Sequence, residues 1–254
     1  MKQFTVDKLT VKISESRAAM GALAAAEIRE TILALLEKRD EINMIFAAAP
    51  SQNEVLASLL TYKDIPWERI NAFHMDEYIG LPANDPRRFG NFLAEHIFNH
   101  APFRSVNYID SSATAEDECR RYTLLLQKYP TDIVVMGIGE NGHIAFNDPG
   151  VADFNDPATI KLAKLDEVCR MQQVHDGCFA TLDEVPTHAF TLTCPTLVRA
   201  TYKFCVVPAT TKANAVLRTV TGTVSDTCPA TLLRTVDGAV MYLDDASSAL
   251  LSEA

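Results

Sequence analysis

VVMGIGENGHIAFNDPG, residues 134–150, carries three glycines in the spacing G-x-G-x-x-G: Gly137, Gly139 and Gly142. It continues the apolar run DIVVM, which reads as a buried strand. The stretch is either a dinucleotide-binding turn or a glycine-rich catalytic loop, and the choice separates a redox enzyme from other chemistry. A dinucleotide turn needs its third glycine inside a helix that runs on, with the helix N-terminus against the pyrophosphate. Here His143-Ile144-Ala145-Phe146-Asn147-Asp148 meets Pro149-Gly150, a stop signal, before two helical turns can form. The loop also lies past the middle of the chain rather than in a first βα unit. Both features argue against NAD or FAD.

Outward from this loop, apolar strand-like runs alternate with helical periodicity. LTVKI, INMIFAAA, RINAFHM, VNYI, AFTLT, KFCVV and GAVMYL read as strands. Helices are expected over Ser16–Arg39, from Ser51 to Leu60 with a capping box Ser51-x-x-Glu54, near Asn91–Phe98, from Thr114 to Lys128, and near Lys212–Thr219. Strands alternating with helices predict an α/β fold: a Rossmann-like, mostly parallel sheet covered by helices on both faces. No repeat, low-complexity tract or Gly/Ser linker divides residues 1–254, so one domain is expected. In such sheets ligands sit beyond the carboxyl ends of the strands.

Composition narrows the partners. The formal net charge of −10 disfavours nucleic acid, which needs clustered Lys and Arg. The most apolar helix candidate, RAAMGALAAAEIRETILALLEK, is interrupted by Glu27, Arg29 and Glu30, too charged to span a membrane. The N-terminus alternates polar and apolar residues and shows no apolar leader core, so a cytoplasmic protein is expected. Six cysteines without a C-x-x-C pair read as scattered reduced thiols, and no metal site is expected from their spacing. No G-x-S-x-G elbow or P-loop is present. Nothing in the chain specifies oligomeric state, and a homo-oligomer is compatible with it.

Three loops after strands carry unusual chemistry. Pro50-Ser51-Gln52-Asn53 follows INMIFAAA, His74-Met75-Asp76-Glu77-Tyr78 ends RINAFHM, and the glycine loop brings Asn141, His143, Asn147 and Asp148. Asp148 could orient and charge-stabilise the His143 imidazole. Side chains alternate at a strand end, so only one of Asp76 and Glu77 would face a cleft. A carboxylate in one loop and a His–carboxylate pair in another suit proton transfers on a small polar molecule. Each residue also has a structural reading: Asp148 as a turn residue before Pro-Gly, Asp76-Glu77 as a solvated pair or helix start, His143 as partner of a buried carbonyl.

AFHMDEYIGLP (72–82) and GIGENGHIAFNDPG (137–150) closely resemble the two signature motifs of the glucosamine-6-phosphate deaminase family, and VPTHAFTLT (185–193) and TTKANAVL (210–217) look like its later segments in order. The resemblance spans roughly residues 42–245. It separates the chain from 6-phosphogluconolactonases, whose glycine loop continues G-H-T-A-S-L-F. The resemblance implies a modified Rossmann-like fold without dinucleotide, and conversion of an amino-sugar phosphate to fructose 6-phosphate and ammonia with no cofactor. It implies that His143 opens the pyranose ring, with Asp148 and Asn141 in its relay, and that Asp76 moves the C2 proton to C1. Lys212 would hold the phosphate. The family's T-G-G-T-P phosphate loop is replaced here by A-P-S-Q-N, which puts Ser51 and Gln52 in its place. Gly137, Gly139, Gly142 and Glu77 complete the expected substrate contacts. The family's phosphate-binding arginine falls in CRMQQVHDGCFATLDE, where Arg170 is the candidate. Two rivals remain open: a lactonase-type hydrolase, and a sugar-phosphate-binding regulator without catalysis.

Overall fold

The computed structural model describes residues 1–253. Its main sheet has eight strands in the order β1-β2-β11-β10-β7-β3-β4-β6. They are β1 (Lys2–Val6), β2 (Leu9–Ser14), β3 (Ile42–Phe46), β4 (Ile70–His74), β6 (Ser105–Asn107), β7 (Ile133–Met136), β10 (Tyr202–Val207) and β11 (Ala239–Asp244). All neighbours are parallel except the β1–β2 hairpin at one edge. A second, antiparallel sheet has the order β5-β9-β8, formed by β5 (Asp76–Tyr78), β8 (Ile160–Lys164) and β9 (His188–Leu192).

The central strands β3, β4 and β7 are buried at every position because both faces are covered. Their residues sort by alternation. Ile42, Met44 and Phe46 of β3 share one core with Ile133 and Val135 of β7 and Phe204 and Val206 of β10. Helices α1 (Arg17–Leu36), α2 (Asn53–Thr61) and α3 (Phe89–Leu93) pack there through Met20, Ile28, Leu56 and Leu93. The opposite faces, Ile45, Val134, Met136, Cys205 and Val207, meet α4 (Ala115–Lys128), α6 (Cys194–Val198) and α7 (Ala213–Thr221). Ser16 caps α1, its Oγ accepting the Ala19 amide at 3.2 Å, and Thr114 caps α4, accepting from the Asp117 amide at 3.2 Å.

The structure corrects several expectations. The helix over 91–98 begins earlier, as α3, and continues as a π turn over Ala94–Phe98. AFTLT lies in the small antiparallel sheet rather than the main one. The capping box at Ser51 does not form. Pro50 fixes its own φ and starts a 3-10 turn over Pro50–Gln52, which leaves Ser51 inside the turn instead of at the cap. Its hydroxyl accepts from Gln52 Nε2 at 3.0 Å, and Glu54 pairs with Arg17. An additional helix, α5 (Glu167–His175), capped by Asp166, bridges β8 and β9.

The chain winds from β3 outward to β4 and β6, then returns to β7 on the other side of β3 and proceeds to β10 and β11. The winding therefore reverses between β3 and β7. Their carboxyl ends are level, with Phe46 opposite Val135 on one side and His74 on the other. Such a reversal opens a crevice above the sheet.

Candidate active site

The crevice is lined by the loops expected from strand order. Ser51 and Gln52 come from beyond β3, Asp76 from beyond β4, Gly137, Gly139 and His143 from beyond β7, and Lys212 from beyond β10. Two of the three non-glycine residues with positive φ among the described residues, Ala145 (+51°) and Ala209 (+81°), line it as well. Left-handed backbone at alanine costs energy and gathers at functional sites.

Asp76 and Glu77 divide as strand alternation requires. Asp76 faces the crevice and is 7% exposed. Burial, with the adjacent Glu77 charge adding to it, holds its carboxyl well above the ordinary range. Glu77 points the other way, which corrects its expected substrate contact. Its carboxylate accepts the amides of Tyr78 (2.9 Å), Phe89 (3.1 Å) and Gly90 (3.0 Å), with Arg88 at 3.7 Å, and so ties β5 to the start of α3.

His143 ends a tight turn. The Gly139 amide donates to the His143 carbonyl at 2.9 Å, and the Gly142 amide to the Gly139 carbonyl at 3.0 Å. Nδ1 of His143 lies 2.9 Å from Oδ1 of the fully buried Asp148. Asn141 braces both partners: its Nδ2 donates to the same Oδ1 at 2.9 Å, and its Oδ1 accepts the His143 amide at 2.9 Å. Burial alone pushes Asp148 up, but His143, Asn141 and the Cys169 thiol together outweigh it and leave the carboxyl below its usual value. The pair is thus an imidazole facing the crevice and a charged carboxylate behind it. Gly142 does not line the crevice, contrary to expectation. Its φ is +87°, and a Cβ there would meet Cys228 Sγ at 2.6 Å, so it shapes the turn.

At the other end, Lys212 is 5% exposed and makes no ion pair or side-chain hydrogen bond among the described residues. Burial lowers its pKa, opposed by Asp176, Glu140 and Cys169 in that order. The Ser51 hydroxyl, already accepting from Gln52, keeps its own proton for an anion. Gln52 is fully buried; Nε2 also donates to the Val206 carbonyl at 3.2 Å, while Oε1 has no partner. The Val206 carbonyl fixes which way the amide points. An unpaired buried acceptor on a crevice wall suits a hydroxyl or ammonium donor of a ligand.

Arg170 does not enter the crevice. It sits on α5 but donates to the Leu182 (2.7 Å) and Val185 (2.9 Å) carbonyls, pinning the connection to β9. Carbonyls left free by an irregular loop take the guanidinium first. The face of α5 toward the crevice instead carries Gln172 and Gln173, with Asp176 directly after the helix. Arg17, from the first turn of α1, is the arginine that lines it. These four residues were missed from sequence. For Arg17 a signal existed, since it follows β2 as the other site residues follow their strands; α5 left none.

His143, Asp148 and Cys169 bring an imidazole nitrogen, a carboxylate oxygen and a thiol within 4.8 Å of one another, all buried. Such a set can hold a soft divalent metal. Cys169 comes from α5 while His143 and Asp148 share the glycine loop, so the cysteine spacing behind the metal-free expectation could not reveal it.

Comparison with known proteins identifies the family and agrees with the fold. The profile of the family described as glucosamine-6-phosphate isomerases/6-phosphogluconolactonase matches residues 15–242. The chain is 32% identical to the glucosamine-6-phosphate deaminase of Listeria monocytogenes over 212 residues, 83% of this chain and 88% of that one. It is 32% identical to the deaminase of Bacillus cereus over 247 residues, 97% of this chain and 89% of that one. Among solved structures, a monomeric glucosamine-6-phosphate deaminase superposes with a TM-score of 0.85 at 25% identity, covering 94% of this chain and 99% of that one. A 6-phosphogluconolactonase from Thermotoga maritima shares the fold, with a TM-score of 0.74 at 21% identity and coverage of 93% and 100%. With matched residues spanning nearly the whole chain, this protein belongs to the glucosamine-6-phosphate isomerase/6-phosphogluconolactonase family.

Proposed function

We propose that the protein is a glucosamine-6-phosphate deaminase, converting glucosamine 6-phosphate and water to fructose 6-phosphate and ammonia. The observation that carries this reading is the placement of two separate proton-transfer groups, Asp76 and the His143–Asp148 pair, in one crevice with an unpartnered buried lysine. The deaminase relatives support it.

His143 moves a proton from the anomeric hydroxyl to the ring oxygen, which opens the pyranose. Asp148 orients the imidazole and stabilises its charged form. In the open chain, the Asp76 carboxylate takes the C2 proton while the substrate's own ammonium gives a proton to the C1 oxygen, leaving an enolamine. The same carboxyl returns the proton to C1. The resulting C2 imine adds water and expels ammonia. Burial suits Asp76 to this shuttle, because a carboxyl raised above its ordinary range takes a carbon-bound proton more readily. Lys212 and the Ser51 hydroxyl hold the phosphate, and Gln52 Oε1 accepts from the sugar.

No feature of the crevice favours the lactonase reading, and the lactonases that superpose share the fold alone. Six unpaired cysteines support a reducing compartment such as the cytoplasm for this activity. No helix among the described residues is long and apolar enough to cross a membrane. The test is to incubate the protein with glucosamine 6-phosphate and with 6-phosphogluconolactone. Equal amounts of ammonia and fructose 6-phosphate from the first establish the deaminase. Acid release from the second, with no ammonia from the first, overturns it.

A further inference from the structure

We propose that Arg17 is the second cation of the phosphate subsite, and that with Lys212 it makes the crevice select a phosphorylated sugar over a free one. The inference rests on reading the crevice as a sugar-phosphate site. It assigns to the first turn of α1 a task the motifs place elsewhere.

Arg17 is set at the crevice by the fold. β2 runs parallel to β11 with Ser14 opposite Asp244, so its carboxyl end delivers the chain to the level where the other site loops begin. Ser16 then caps α1, and Arg17 follows at once. The guanidinium is anchored on the turn that carries Ser51. Its Nε lies 2.6 Å from Glu54 Oε1, and its Nη2 donates to the Pro50 carbonyl. A guanidinium has five N–H groups. These two bonds leave three, and the side chain is 36% exposed where it lines the crevice.

The charge balance calls for such a group. A phosphate dianion wants two positive charges or several convergent donors. Lys212 alone faces Asp176 and Glu140, which draw on its field. Pro50 removes one amide from the turn, and the Gln52 amide is already donated to the Ala49 carbonyl at 2.9 Å. Arg170, the other arginine considered for the task, spends its donors on carbonyls of its own loop. Among the described residues lining the crevice, Arg17 and Lys212 supply the permanent positive charge.

A competing account makes Arg17 only a tie between α1 and α2 through Glu54. The two accounts differ in what Glu54 does. If Arg17 is a tie, Glu54→Gln and Arg17→Ala have the same effect. If Arg17 contacts phosphate, Glu54→Gln frees the guanidinium and phosphate binding persists.

The experiment measures inorganic phosphate binding by calorimetry, and KM and kcat with glucosamine 6-phosphate and free glucosamine, for the parent, Arg17→Ala, Arg17→Lys and Glu54→Gln. Lys212→Ala is the reference for a lost phosphate contact. Arg17→Ala is expected to weaken inorganic phosphate and raise KM for the phosphorylated sugar by roughly tenfold or more, the scale of one charge-assisted contact, with little change in kcat. Its effect on free glucosamine should be small. Arg17→Lys should recover part of the loss, and Glu54→Gln should bind phosphate at least as well as the parent. Phosphate bound by Arg17→Ala as tightly as by the parent overturns the proposal, as does an equal loss in Glu54→Gln. If Arg17→Ala does not fold, Arg17→Lys and Glu54→Gln decide. If the parent fails to convert glucosamine 6-phosphate, the functional reading falls, and phosphate binding still decides the role of Arg17.

Discussion

A Cβ on Gly139 would stand 2.1 Å from Cε1 of His143, so the imidazole fills the space any side chain at 139 would need. The second glycine of the G-x-G pattern therefore makes room for a histidine ring rather than for a pyrophosphate. Gly139→Ala is expected to displace the ring and break its contact with Asp148. On the proposed mechanism this slows ring opening, and His143→Gln should do the same. Both should lose roughly 10²–10⁴-fold on glucosamine 6-phosphate, the range for a positioned acid–base group. An analogue locked in the open chain should be bound and deprotonated almost as well as by the parent. Equal losses on closed and open substrates would remove ring opening from His143.

Asp76→Asn should separate activity from stability. A general base lost from its position costs roughly 10²–10⁴-fold in turnover. Yet the folded Asp76 carboxyl sits above its unfolded pKa because of burial and the Glu77 charge. A group raised in this way stabilises the fold below its unfolded pKa, and that contribution is lost as pH rises through the folded value. At neutral pH keeping this carboxyl in the fold is thus a cost, which the neutral amide removes. Asp76→Asn should melt higher than the parent at pH 7, by roughly 2–4 °C per kcal/mol relieved, and the gap should close below about pH 4, where the unfolded carboxyl is protonated too. Calorimetric scans at both pH values check this; a lower melting point for the variant at pH 7 contradicts it.

How much of this could be read from sequence depended on whether the signal was local. β7 is a continuous apolar run and β3 and β10 are mostly apolar, all covered on both faces, and α1 and α4 announce themselves by Ser16 and Thr114 at their caps. β5 is three residues, two of them acidic, and exists because Asp76 pairs with Thr191 across more than a hundred residues. Nothing local marks it as a strand. The same holds for the site. Alternation separates Asp76 from Glu77, but the amides of Phe89 and Gly90 that claim Glu77 are a tertiary fact. Arg170 stands in the segment the motifs indicate, and its direction is decided by the Leu182 and Val185 carbonyls. Cys169 meets Asp148 only because α5 folds over the glycine loop, where Gln172 accepts the Glu140 amide at 2.8 Å.

His74, in the motif beside Asp76, has a structural task with a pH signature. Its Nε2 accepts the Ile109 amide at 2.8 Å, which requires that nitrogen to be unprotonated. Burial, the largest cause, lowers its pKa to about 3. The unfolded imidazole protonates near 6.5. Because the folded value is the lower one, the unfolded chain binds the extra proton, and stability falls as pH drops from about 6.5 toward 3. Between pH 7 and pH 5 the loss from this group alone is about 2 kcal/mol. Urea unfolding at the two pH values, compared with His74→Gln, measures it. A variant with the same pH slope as the parent shows that His74 does not carry the dependence.

The last prediction concerns metal. The proposed chemistry assigns ring opening to His143 and the C2-to-C1 proton transfer to Asp76, and it asks nothing of a metal ion. His143, Asp148 and Cys169 nevertheless form a buried set of nitrogen, oxygen and sulfur donors within 4.8 Å. Zinc accepts all three, with a fourth position for water or a ligand. Binding would deprotonate the thiol, whose pKa burial and the Asp148 charge hold well above its ordinary value, so affinity should rise with pH. A metal there occupies the imidazole and the carboxylate that the ring-opening step needs. Exhaustive chelation is therefore expected to leave turnover unchanged or raise it, and added zinc to inhibit. Cys169→Ser, which keeps a hydroxyl beside Asp148 but removes the soft ligand, should keep most of the activity and require at least tenfold more zinc for the same inhibition. Activity lost on chelation and restored by zinc would overturn the metal-free mechanism. Equal zinc sensitivity in Cys169→Ser would place the inhibitory metal on other residues.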